Sequence, residues 1–101
     1  MPAAYDSPVP AGRGLRPSQD VVFRRLEDEG VLVHLGTNQI YALNRTGARF
    51  WELLEAGHGR AEIARELLRE FDVSEPELEQ EIGTLLASLV SEGLVTVEPP
   101  G

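Results

Sequence analysis

The side chains able to do chemistry in this 101-residue chain are few and scattered. There are two histidines, His34 and His58, and no cysteine. Without cysteine there is no thiol nucleophile, no thiolate metal site and no disulfide scaffold. His34 falls inside the apolar run Gly30 to Leu35, and His58 lies between Gly57 and Gly59. Neither has a second histidine at metal-ligand spacing or a nucleophile motif beside it. They read as a strand-surface and a loop histidine. Carboxylates are plentiful, but Glu55, Glu62, Glu66 and Glu70 fall on the outer faces of helical segments. Arg65 and Arg69 stand one turn from Glu62 and Glu66, so solvated ion pairs explain these acids. Gly57-His58-Gly59 matches no phosphate-binding loop. The chain does not read as an enzyme, and no cofactor or metal is expected.

What remains is recognition. In the run Gln39 to Asn44, Tyr41 and Leu43 share one face of an extended strand, and Ile40 and Ala42 share the other. Both faces are apolar, whereas a half-exposed strand should alternate with polar residues. Either the strand is buried on both sides, or one side is a docking surface.

Charge narrows the guests. Seventeen acids against nine bases give a net charge of −8, which makes a polyanion an unsuitable partner. All nine bases are arginine. The longest apolar runs are too short to span a membrane. Met1 to Ala4 lacks a basic region leading into an apolar stretch, so no secretory signal is read and a cytoplasmic location is expected.

The elements that must position the two-faced strand follow from periodicity. Residues 1–19 hold four of the seven prolines and read as a flexible N-terminal arm, leaving residues 20–98 as the single domain. Asp20 to Leu26, Gly30 to Leu35 and Gln39 to Asn44 read as three strands. The charged turn Glu27 to Gly30 and the turn Gly36-Thr37-Asn38 separate them. Turns this short force an antiparallel meander. Three helices follow. The first, from about Thr46 to Ala56, carries Phe50, Leu53 and Leu54 at i, i+3 and i+4. The second, from about Arg60 to Phe71, spaces Ile63, Leu67 and Phe71 four apart. The third opens on Ser74-Glu75-Pro76-Glu77, a capping box with proline in the first turn, and then runs a stripe of Leu78, Ile82, Leu85, Leu86 and Leu89. Gly93 ends it, Leu94 folds back onto the core, and Val95 and Val97 suit a short strand. Three antiparallel strands followed by three helices make an α+β, winged-helix-like fold.

A winged-helix outline raises DNA binding, with the third helix as reader. From Ser74 to Glu92 that helix carries five glutamates and no arginine or lysine. Carboxylates in that position repel phosphates within a Debye length of roughly 8–10 Å, and base edges call for Arg or Asn. Stacking of RNA on Tyr41 or Trp51 lacks a basic groove. No nucleic-acid or membrane partner is expected. A sheet edge beside a helix suits instead a peptide that adds as an extra strand.

The run Ile40-Tyr41-Ala42-Leu43-Asn44-Arg45-Thr46-Gly47-Ala48-Arg49-Phe50-Trp51-Glu52-Leu53-Leu54 resembles the core signature of the PqqD-like family. These are peptide chaperones, the recognition elements of ribosomally made and modified peptides. Ala61-Glu62-Ile63-Ala64 through Phe71 is similar to the family's next segment. Glu81-Ile82 through Gly93-Leu94-Val95 is similar to its ending. The resemblance covers about residues 17–97. It implies a winged-helix-like domain whose third strand receives a leader peptide in antiparallel register, against the third helix. It implies further that the protein presents this peptide to a maturation enzyme in trans: a radical enzyme that uses S-adenosylmethionine, a leader peptidase or a cyclase.

On this reading the peptide-binding residues are the backbone of Asn38, Gln39, Ile40, Tyr41 and Ala42, with Glu81, Leu85 and Ser88 on the third helix. A helical wheel leaves a second shoulder, Glu79, Gly83, Leu86 and Val90, as a rival face. Glu81 is placed to meet a basic leader residue and Leu85 an apolar one. Tyr5-Asp6-Ser7-Pro8 resembles the tyrosine-and-proline spacing of lasso-type leaders, so the arm is a candidate occupant of its own groove. The alternative function is a homodimer or protein-interaction module in which two strand edges pair.

Overall fold

The computed structural model describes residues 14–97. The Tyr5-Asp6-Ser7-Pro8 motif and the greater part of the expected arm lie outside the described residues. The elements are β1 (Leu15–Pro17), β2 (Val21–Leu26), β3 (Glu29–His34), β4 (Gln39–Leu43), α1 (Arg45–Glu55), α2 (Arg60–Glu70), α3 (Glu75–Ser91) and β5 (Val95–Val97). The three-stranded sheet has the order β2-β3-β4 and is antiparallel throughout, so the α+β meander followed by three helices is as expected.

Two details differ from the sequence reading. Leu15–Pro17, inside the stretch read as an arm, is strand β1. It pairs antiparallel with β5, Leu15 opposite Val97 and Pro17 opposite Val95, and Ser18 N–H donates to the Leu94 carbonyl at 2.9 Å. The first element is therefore at Leu15 rather than at residue 20. The proline content that suggested an arm is compatible with a strand this short at a sheet margin, where a missing N–H costs nothing. The second difference is Gly30. It does not close the β2–β3 turn; that turn is Glu27-Asp28, with Glu27 at φ +55°. Gly30 is a strand residue, and a Cβ there would stand 2.5 Å from Phe23 Cε1. The glycine makes room for the Phe23 ring.

The helices start and stop where their caps are. Asn44 accepts the Gly47 N–H at 2.8 Å to open α1. The Glu62 carboxylate reaches back to the Gly59 N–H at 3.1 Å to open α2. Ser74 and Glu77 cap α3 reciprocally, with Pro76 in the first turn. Their inward faces meet in one core: Phe50, Trp51, Ile63, Leu67, Leu78, Ile82 and Leu89 are fully buried together with Leu32, Leu94 and Val95. Leu85 and Leu86, on the two shoulders of the α3 stripe, are only partly buried.

Ion pairs tie the helices at their outer ends. Arg49 binds Glu70 through two nitrogens at 2.9 Å, joining α1 to α2. Arg60 reaches Glu79 at 3.3 Å, joining α2 to α3, and Arg25 reaches Glu52 at 3.0 Å. Arg69 and Glu66 pair along α2, as their spacing implied.

Candidate functional site

The sheet covers the core with one face only. Leu32 and Leu43 point inward and are buried. Cross-strand pairing puts Val22, Val33 and Ile40 in one row of the outer face, and Arg24, Val31 and Ala42 in the next. Ile40 is 72% exposed. Burial of β4 on both sides therefore does not hold: its second apolar face is open.

β4 pairs with β3 and with no other strand among the described residues, so one edge of it is free. Which backbone groups face that edge follows from parity. Leu35 N–H donates to the Asp20 carbonyl at 2.8 Å, toward β2, while Asn38 N–H donates to the His34 carbonyl at 2.7 Å, toward β4. In an antiparallel ladder consecutive residues alternate in direction. His34, Leu32 and Gly30 therefore serve β4, and their partners Tyr41 and Leu43 point their amides inward, while the Gln39 N–H donates to Thr37 Oγ1 at 3.3 Å in the turn. The groups aimed at the free edge are those of Ile40 and Ala42. Asn38 sits in the turn at φ +62° with its N–H already engaged by His34. Within the backbone stretch 38–42, Ile40 and Ala42 are thus the two positions whose groups face the free edge among the described residues.

Beside this edge runs a groove of about 300 Å³. Its strand wall is Tyr41, Ala42 and Leu43; its floor passes Asn44 and Gly47; its helix wall is Glu81, Thr84, Leu85 and Ser88 of α3. Of the residues read from sequence, the structure brings Tyr41, Ala42, Glu81, Leu85 and Ser88 together here. Asn38, Gln39 and Ile40 lie along the strand outside the groove lining. Leu43, Asn44, Gly47 and Thr84 line it and were not singled out. Thr84 was findable: it lies one turn from Glu81 and Ser88 on the same wheel sector. Asn44 and Gly47 entered the sequence reading only as members of the run Ile40 to Leu54. On the rival shoulder, nothing among the described residues lies within 4 Å of where a Cβ on Gly83 would stand.

The groove is chemically mild. Thr84 and Ser88 offer hydroxyls, Tyr41 a ring, and Glu81 a half-buried carboxylate without a hydrogen bond or ion pair among the described residues. The histidines are elsewhere. His34 Nδ1 accepts the Gly36 N–H at 3.2 Å in the β3–β4 turn, and His58 Nδ1 stands 3.7 Å from Glu62. Trp51 is fully buried and cannot stack on a guest. The backbone N–H of Gly59 holds the Glu62 carboxyl below the usual carboxylate range, with His58 adding to it. Arg49 does the same to Glu70. These shifts belong to helix ends and ion pairs, not to the groove. No cluster of His, Cys, Asp or Glu suited to a metal occurs among the described residues, and no helix there is long and apolar enough to cross a membrane.

The family profile of PqqD, Coenzyme PQQ synthesis protein D, matches residues 29–95, which contain β3 through the start of β5. The chain belongs to the PqqD family. Two solved structures share the fold of this family member. The structure described as TbiB1 in complex with the TbiA(beta) leader peptide is 32% identical, covering 85% of this chain and 98% of that one, with a TM-score of 0.74. A lasso peptide synthetase B1 complexed with the leader peptide is 26% identical, covering 85% and 99%, with a TM-score of 0.70. No match was found among curated proteins.

Proposed function

We propose that this PqqD-family protein binds the leader region of a ribosomally synthesised precursor peptide and presents it to a modifying or processing enzyme. The leader adds as a fourth strand on the free edge of β4, with alternate side chains entering the groove against α3. The observation that carries the reading is that edge: the outward groups of Ile40 and Ala42 lie beside the groove walled by Glu81, Leu85 and Ser88. Two similar proteins described in complex with leader peptides support it. The second, a lasso peptide synthetase B1, favours a lasso-type pathway over a radical-enzyme one.

The protein contributes binding and register, and the chemistry belongs to a partner acting in trans, a leader peptidase or a cyclase. It works in the cytoplasm, where precursor peptides are made. Fluorescence polarisation with a labelled leader from a neighbouring precursor gene tests the reading. Saturable binding that is lost in Leu85→Asp, in a variant shown to remain folded, is expected. Full affinity in that variant would place the guest elsewhere.

A second reading rests on the exposure of Ile40, together with Leu26 at 55% and Leu35 at 58%. Two copies pairing along β4 would cover Ile40 and form a homodimer. In that case the leader and the second copy would compete for one edge.

A further inference from the structure

The unpaired carboxylate in the groove carries a statement about which peptides fit. Glu81 is half-buried, lines the groove, and has no cation near enough to pair with it among the described residues. The ion pairs and the ring contact of the neighbouring arginines lie elsewhere: Arg25 and Arg49 with Glu52 and Glu70, Arg60 with Glu79, and Arg45 over the Phe71 ring at 5.0 Å. A partly desolvated carboxylate favours a cation supplied by the guest. One turn along α3, Leu85 offers an apolar contact with Tyr41 opposite.

The spacing and direction of these two features can be read as well. Glu81 and Leu85 are about 6 Å apart along the helix, which is two residues of extended chain at roughly 3.3 Å each. In a strand, residues two apart point the same way. A Cβ on Gly93, just past the end of α3, would stand 4.0 Å from His34 Nε2. His34 pairs with Gln39, so the C-terminal end of α3 lies toward the start of β4. Glu81 then lies toward the end of β4, near Asn44. A guest antiparallel to β4 passes Glu81 first and Leu85 second.

We propose that Glu81 is a specificity-determining residue that selects peptides carrying Arg or Lys two positions before an apolar residue, both side chains entering the β4–α3 groove. The inference rests on the peptide-binding function proposed above, with the guest antiparallel to β4, and adds the chemical class of the guest and the order of its two side chains.

The test uses the full chain to select from a displayed library of random dodecapeptides, in parallel with Glu81→Lys and with Glu55→Gln, which removes a carboxylate away from the groove. Circular dichroism confirms that each variant is folded. The expected result is that the native protein and Glu55→Gln enrich a basic-x-apolar pattern. Glu81→Lys should exchange the basic preference for Asp or Glu while keeping the apolar one. An enriched basic peptide should bind Glu81→Gln about five- to tenfold more weakly by fluorescence polarisation. Enrichment without a basic preference, with the order reversed, or with a preference unchanged in Glu81→Lys overturns this inference and leaves peptide binding standing. Enrichment of no peptide by the native protein overturns both.

Discussion

Neighbouring residues of β4 have opposite duties. Tyr41 turns its amide inward to Leu32, and Ala42 turns its amide to the free edge. Proline removes the N–H in either place, but the consequences separate. Ala42→Pro should weaken leader binding about tenfold while stability changes little, because an edge strand tolerates proline when its N–H faces solvent. Tyr41→Pro breaks the ladder to β3 and should lower stability by about 2 kcal/mol or more before any effect on the guest can be read. Urea unfolding and fluorescence polarisation on both variants distinguish the two; equal effects would refute the parity assignment. Gly30 is a second residue-scale case. Gly30→Ala places a methyl against Phe23 and should cost about 1–3 kcal/mol in chemical denaturation. A neutral result would mean that Phe23 moves aside freely.

Elements in this fold hold one another at their margins. β1 closes over β5, whose Val95 is 1% exposed, so removing residues 1–18 would uncover core. That truncation should lower stability by roughly 2 kcal/mol, visible as an earlier urea midpoint; an unchanged midpoint would make β1 dispensable. The α1–α2 junction adds an electrostatic tie at its outer end to its apolar core. Because Arg49 holds the Glu70 carboxyl below its ordinary value, the pair stabilises the fold fully above the usual carboxylate range. That contribution is lost as pH falls through the depressed value. Glu70→Gln should therefore cost up to about 1 kcal/mol near neutral pH. The difference from the native protein should shrink toward zero in strong acid. A gap that stays constant with pH would assign the loss to packing instead.

At the scale of the whole molecule, charge is sorted. Arg25 of β2 and Arg49 of α1 neutralise Glu52 and Glu70, while Glu81 in the groove against α3 has no ion pair among the described residues. Leader binding and self-pairing draw on the same edge of β4. Sedimentation over a range of concentrations should show a monomer that gains only the mass of a leader peptide when one is added. A concentration-dependent dimer that the leader dissolves would establish the homodimer as the resting form of the same edge.

Much of this was legible from residue order, because it depends on local periodicity. The 3.6-residue repeat of Leu78, Ile82 and Leu89, the capping box at Ser74, and the three short strands all emerge from neighbours a few positions apart. The groove's helix wall at Glu81, Leu85 and Ser88 also came from a wheel. What needed the tertiary structure was everything decided by partners distant in sequence. Pairing of Leu15–Pro17 with Val95–Val97 spans nearly the whole chain, so composition alone made those residues look like an arm. Gly30 looked like a turn residue because its reason, the Phe23 ring, is on the opposite strand. The direction of each β4 amide depends on ladder parity, which is set by bonds from Asp20 to Leu35 and from His34 to Asn38. That is why the backbone stretch 38–42 resolved to Ile40 and Ala42 only once the sheet was assembled.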